Sequence, residues 1–259
     1  MDVRVLGCSG GIGGLGGREK QHTTSLLVDH DILIDCGTGL GTLDFEQLLA
    51  IDHVFLTHSH LDHIALLPLL VDTVGDLRTQ PITVHATEET LRILRAHIFN
   101  WLIWPDFTAI PDRTRPHLRM QAMSVGEAVE LNGRNIRAIP ALHAVPAVGY
   151  CLSSAHGSLV FSGDTTVSDD MIAVVNGIDN LRYLIIETAF SDSQHDLALA
   201  ARHMCPSMLH HVLDRLTVKP EVFITHLKPG NNDIVIKEIQ AYRGPLRPQI
   251  LTNGQRFKL

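Results

Sequence analysis

Residues Thr57–His63 read Thr-His-Ser-His-Leu-Asp-His, and they place four metal-capable side chains, His58, His60, Asp62 and His63, within six residues. The apolar run His53–Leu56 before them reads as a buried strand, and Ile64–Leu70 after them as the start of a helix. Residues two apart in extended chain project to the same side, so His58 and His60 face one point. Asp62 and His63 follow where the chain turns and aim at a neighbouring point. Two adjacent metals suit that geometry better than one. Pairs of surface histidines are common, but three imidazoles and a carboxylate at a strand end need partners, and zinc or a similar ion supplies them.

The pattern His58-x-His60-x-Asp62-His63 resembles the signature of the metallo-β-lactamase-fold hydrolases. With Leu61 inside it and Ile64 after it, the form is most similar to the class II cyclic-nucleotide phosphodiesterases. It departs from the family at Leu66, where a small Gly or Ser is usual. The resemblance implies an α/β architecture of the αββα type, two facing β-sheets with helices outside and metals at one edge of the sandwich. The ligand candidates run from residue 58 to residue 226, each at a strand end, so residues 1–259 are expected to form a single hydrolase domain.

A length of 259 residues is ample for a real core, and 45% hydrophobic with 19% charged residues is an ordinary globular composition. The net charge of −7 argues against a protein that grips nucleic acid along its backbone. Cys8, Cys36, Cys151 and Cys205 form no CxxC and no close pair, which fits reduced thiols of a cytoplasmic protein. The start of the chain lacks the pattern of a secretory signal. No run approaches the roughly 18 apolar residues of a membrane span, so no membrane partner is expected. Many relatives form dimers, and the resemblance makes a homodimer compatible with this chain.

Taken in order, Val3–Leu6 reads as a strand leading into Gly7-Cys8-Ser9-Gly10-Gly11-Ile12-Gly13-Gly14. That run lacks the ending of a P-loop and the spacing of a dinucleotide site. A loop near the active-site mouth is the main expectation, a phosphate cradle the alternative. Ser25–Val28 and Ile32–Asp35 read as a hairpin, and Asn132-Gly133 marks another. Asn100–His117, with Trp101, Trp104 and Phe107, reads either as a wall for a flat substrate such as a purine or as core filling. The C-terminal part reads as strands ending at Asp164, Glu187 and His226, with helices between.

The resemblance assigns further roles. His143, after Ile136–Ile139, falls where the family has the third histidine of its first metal site. Asp164 in Ser162-Gly163-Asp164-Thr165 resembles the metal-bridging carboxylate, and His226 in Thr225-His226-Leu227-Lys228-Pro229 the final ligand. His58, His60 and His143 would then hold one metal and Asp62, His63 and His226 the second, with Asp164 shared. Asp35 would orient a ligand histidine from behind. Two divalent ions are implied, zinc by default, with manganese or iron fitting the same ligands. Their shared hydroxide would attack phosphorus. Glu187 and His203 loosely resemble the proton-donating pair of phosphodiesterases of this fold; the bland alternative is an unrelated strand-end Glu and a helix-surface His. Lys228 reads as a phosphate contact or as a solvated lysine. The expected substrate is a small phosphodiester, cyclic AMP foremost, opened to the 5′-monophosphate. The alternatives are a transfer-RNA 3′-processing ribonuclease, a thioester or lactone hydrolase, and a non-enzymatic metal module.

Overall fold

Strands buried on both faces read in sequence as continuous apolar runs rather than as an alternation. The computed structural model describes residues 1–13, 21–230 and 232–259; Gly14, the last of the glycine run, lies outside the described residues. Strands β1 (Asp2–Gly7), β2 (Ser25–Val28), β3 (Ile32–Ile34), β4 (His53–Phe55), β5 (Ile82–Ala86) and β6 (Leu118–Ala122) come first in the chain. They are followed by β7 (Ala128–Leu131), β8 (Arg134–Pro140), β9 (Val148–Ser154), β10 (Gly157–Phe161), β11 (Leu181–Glu187), β12 (Glu221–Thr225), β13 (Gln249–Ile250) and β14 (Arg256–Lys258). Among the described residues they make two seven-stranded sheets, ordered β14-β1-β2-β3-β4-β5-β6 and β13-β12-β11-β10-β9-β8-β7.

Side chains alternate along each strand and so supply two different cores. Ile32, Ile34 and Phe55 meet Tyr150, Phe161, Ile185 and Phe223 between the sheets. Leu33, Val54 and Val84 face the other way, under Leu67, Leu70 and Val74 of α3 (Leu67–Val74) and Leu91 and Leu94 of α4 (Glu88–His97), which follow α1 (Phe45–Leu49) and α2 (Leu61–Ile64). On the second sheet, Val160, Ile186 and Ile224 lie under α5 (Asp169–Asn176), α7 (Pro206–Asp214) and α8 (Asn232–Gln240), with α6 (His195–Ala201) at the edge of this layer. Each such buried side chain contributes roughly 1.5–3 kcal/mol through removal from water. The four layers are the expected αββα sandwich.

Strands β3 to β6 run parallel, as do β10 to β13, so many carboxyl ends gather at one edge. In sheets of this kind that edge is where ligands bind, because the connecting loops gather there. The Asn132-Gly133 turn between β7 and β8 adopts φ of 51° and 80°, the conformation a two-residue hairpin favours.

The structure departs from the sequence reading in three places. The helix after the central motif begins at Leu61, so Asp62 and His63 sit in its first turn, and it restarts at α3 with Pro68, which has no N–H to continue the ladder. His203 lies outside a helix, because α6 ends at Ala201 and Arg202 takes left-handed φ of 52°. Asn100–His117 is no wall to the metal edge. Helix α4 starts at the carboxyl end of β5 and runs back along it, and the Ile82 N–H donates to the carbonyl of His117 at 3.0 Å at the opposite end. There Phe107 is buried between Phe99 and His117, while Trp101 faces solvent. Among the described residues, no helix is long and apolar enough to cross a membrane.

Candidate metal centre

The corner after β4 projects His58 and His60, and the first turn of α2 projects Asp62 and His63. His143 follows β8, Asp164 follows β10 and His226 follows β12, all on the second sheet. Across the cleft these seven residues form two overlapping groups, His58, His60, His143 and Asp164, and Asp62, His63, Asp164 and His226; within each group the ligand atoms lie within 4.8 Å of one another. Asp164 belongs to both, with Oδ2 3.7 Å from His58 Nε2 and 3.4 Å from His63 Nε2, and Oδ1 3.2 Å from His226 Nδ1.

Unpartnered polar atoms test whether these residues fit metal. His58 Nε2, His63 Nε2 and His226 Nδ1 are buried without a hydrogen-bond partner among the described residues. Leaving such a group unsatisfied costs about 1–3 kcal/mol, so three together need an explanation. A cation facing their lone pairs provides it. The opposite ring nitrogens are fixed from behind. Nδ1 of His63 meets Asp35 Oδ2 at 2.7 Å, Nδ1 of His58 meets Thr57 Oγ1 at 2.9 Å, and Nδ1 of His143 donates to the carbonyl of Arg202 at 3.0 Å. Such contacts set the tautomer and leave Nε2 as the donor to a metal. The imidazole and carboxylate donor set suits zinc, manganese or iron.

Electrostatics agree. Burial holds His58 well below the usual histidine range and brings His226 down to about 4, so both are neutral, as a ligand must be. Burial works against the carboxylate of Asp164, but the adjoining imidazoles of His226 and His63 outweigh it and hold the group well below the ordinary range. His63 is opposed by burial and raised by Asp164 and Asp35; a cation binding there would displace its proton.

Beside this centre, His203 Nδ1 lies 2.7 Å from Glu187 Oε1, which also accepts from the Thr165 N–H at 3.0 Å, while Oε2 accepts from the Met204 N–H at 3.2 Å. The ring of His203 stacks on His226 at 5.1 Å and meets His143 edge-on at 4.8 Å. It therefore touches a ligand candidate of each group. Burial lowers its basicity, and the Glu187 carboxylate more than restores it. With Nδ1 taken by Glu187, Nε2 is the remaining ring nitrogen.

The glycine run has a packing reason. His226 is held in left-handed φ of 66°, its N–H donating to the carbonyl of Cys8 at 2.8 Å, and the Gly10 N–H donates to the carbonyl of Leu227 at 3.1 Å. A Cβ on Gly10 would fall 2.7 Å from the His226 carbonyl and 2.9 Å from its Nε2. Only glycine lets this loop pass so close to His226. Gly163 likewise takes φ of 60°, where a Cβ would meet the Val148 carbonyl at 2.8 Å, and this turn presents Asp164.

Sequence reasoning gave no role to Thr57 or Arg202. Thr57 donates its N–H and hydroxyl to the two oxygens of Asp35, each at 2.8 Å. Arg202 accepts from His143 through its carbonyl and donates to the His143 carbonyl from Nη1 at 2.9 Å. A threonine directly before the first histidine was a signal for the former. A backbone role such as that of Arg202 leaves no trace in side-chain identity.

Comparisons with known proteins agree with this arrangement. The family model described as the beta-lactamase superfamily domain matches residues 30–227. A ribonuclease Z of Halorubrum lacusprofundi is 30% identical over 152 residues, 55% of this chain and 45% of that protein. A probable 3′,5′-cyclic-nucleotide phosphodiesterase of Yersinia pestis is 26% identical over 207 residues, covering 70% of this chain and 58% of the relative. The chain spans about half the length of the ribonuclease Z relatives it matches. Among solved structures, unliganded yeast PDE1 aligns with a TM-score of 0.80 at 18% identity, over 100% of this chain and 99% of that one, a likeness of fold. The two sheets, the histidine and aspartate clusters at their shared edge and the matched span together make this chain a member of the β-lactamase superfamily with the metallo-β-lactamase fold.

Proposed function

We propose that this protein is a phosphodiesterase that opens a small cyclic nucleotide, cyclic AMP foremost, to its 5′-monophosphate. The observation that carries the reading is the Glu187–His203 pair, joined at 2.7 Å and packed against ligands of both half-sites. Hydrolysis of a β-lactam, lactone or thioester on the same ligands gives this buried pair no task. In the reading, His58, His60, His143 and Asp164 hold one divalent ion and Asp62, His63, Asp164 and His226 the other. Bound there, the ions supply a water of lowered pKa and positive charge for the phosphoryl oxygens. His203 gives its Nε2 proton to the departing sugar oxygen while the Glu187 carboxylate orients the ring and offsets its charge. Because both sheets contribute to each half-site, residues 1–259 act in this reading as one domain.

A second reading has a specific support of its own. The ribonuclease Z relatives act on RNA, as their name says, and make a nucleic-acid substrate the alternative. Against it stand the net charge of −7 and the lack, between Pro140 and Leu181, of a basic Gly/Pro-rich segment that could grip RNA.

The test incubates protein loaded with zinc or manganese with cyclic AMP, with a precursor transfer RNA and with a neutral aryl ester. Release of 5′-AMP supports the proposal. Cleavage of the RNA alone moves the chain to the second reading, and turnover of the ester alone abandons phosphodiester chemistry.

A further inference from the structure

Lys228 stands two residues beyond His226, and its backbone is drawn toward the site. The preceding residue, Leu227, is buried, and its carbonyl accepts from the Gly10 N–H and from Ser9 Oγ, each at 3.1 Å. The ammonium lies 5.0 Å from the centre of the Phe190 ring. Phe190 is itself buried and stands edge-on to His203 at 5.7 Å, and its N–H donates to the carbonyl of Met204, the residue after His203. A lysine with no task would extend into water; this one is held by a cation–π contact over the ring that backs the proton-donor pair. Its positive charge is felt at His203. The other cation close to the pair, Arg202, spends its guanidinium on the carbonyl of His143 at 2.9 Å.

We propose that Lys228 is a substrate-binding residue, its ammonium taking a non-bridging phosphoryl oxygen, so that the site selects anionic phosphoryl substrates over neutral esters. This rests on the phosphodiesterase reading. Charge gives the reason. A phosphodiester carries one negative charge and the monoester product two, so the site must accommodate an extra charge as the ester bond breaks. A side-chain cation on a flexible stem supplies the compensating charge.

The experiment compares the zinc-loaded wild type with Lys228→Met and Lys228→Arg, each first shown to carry the same metal content. Inorganic phosphate is titrated by thermal shift and as an inhibitor, and hydrolysis of bis(p-nitrophenyl) phosphate is followed. The proposal expects Lys228→Met to weaken phosphate binding about 10- to 100-fold, the range of one charge-assisted hydrogen bond, with a comparable loss in kcat/KM. Lys228→Arg retains most of both. Phosphate affinity unchanged in Lys228→Met, or a wild type that binds no phosphate, overturns it. Phosphate binding that depends on Lys228 without any diester turnover would sink the phosphodiesterase reading but keep the anion site. Diester turnover indifferent to Lys228→Met, with phosphate affinity also unchanged, would do the reverse.

Discussion

At the edge of the sandwich away from the metal centre, Arg134 of β8 reaches across to the turn between β2 and β3. Its guanidinium meets Asp31 at 2.5 and 2.8 Å and Asp29 at 3.2 Å, while Nε donates to the carbonyl of Leu131 at 3.0 Å. At the other edge, five buried or half-buried histidines crowd together with Asp62 and Asp164, and three ring nitrogens have no partner among the described residues. Both edges bury charge. In one, the Arg134 guanidinium and the Asp31 carboxylate satisfy each other and so hold the sheets together; the other leaves donor atoms bare, which a protein tolerates only where something else completes them.

The sharpest break in this comparison is Asp164→Ala, which removes the carboxylate common to both half-sites. Bound metal, counted by mass spectrometry of the elements, should fall from two ions per chain toward none, and hydrolysis should vanish with it. His203→Ala comes next. It leaves all seven ligand candidates in place, so metal content should hold while kcat drops about 10²–10⁴-fold, the usual worth of a general acid. Restored activity on a substrate with a nitrophenolate leaving group, which needs no proton, would mark the loss as that of an acid.

The satisfied edge answers to stability instead. Arg134→Met strands the Asp31 carboxylate and should cost about 3–5 kcal/mol in urea unfolding at neutral pH, with no direct effect on metal content. Burial pushes the Asp31 carboxyl up, but Arg134 outweighs it and holds the group below the usual range. A depressed folded pKa means the stabilisation is whole above the unfolded value, about 3.9, and is lost as pH falls through the folded one. The wild type and the variant should therefore converge in acid. The smallest effect is expected from Asp35→Asn, which keeps the fold but alters the acceptor behind His63. Metal affinity should weaken about 10–100-fold, measured by competition with a chelator.

Much of this was legible because the first-sheet ligands are contiguous. His58 to His63 come from one corner, and a strand's two-residue period puts neighbouring donors on one side without knowledge of the fold. The second-sheet residues are spread over 143 to 226, and only the resemblance picked them out from 16 histidines. Asn100–His117 stayed open between wall and core filling because tryptophan and proline say that a segment is irregular but not at which end of a sheet it lies; the direction of α4 decides for core filling. The same limit left Lys228 open between a phosphate contact and a solvated lysine, since a ring contact between residues 190 and 228 depends on how two loops meet.

The placement of the ligands has a mechanical consequence. His58 to His63 belong to one sheet and His143, Asp164 and His226 to the other, so ions bound between them fasten two layers that the inter-sheet core otherwise only presses together. Arg134 would then act as a hinge that stays shut, and bound metals as a latch that can be withdrawn. A chelator should then open the sandwich from one side. Amide exchange should quicken in the loops after β4, β8, β10 and β12, while the β7–β8 hairpin beside Arg134 keeps its protection; uniform quickening across both edges would show that the latch and the hinge are one cooperative unit.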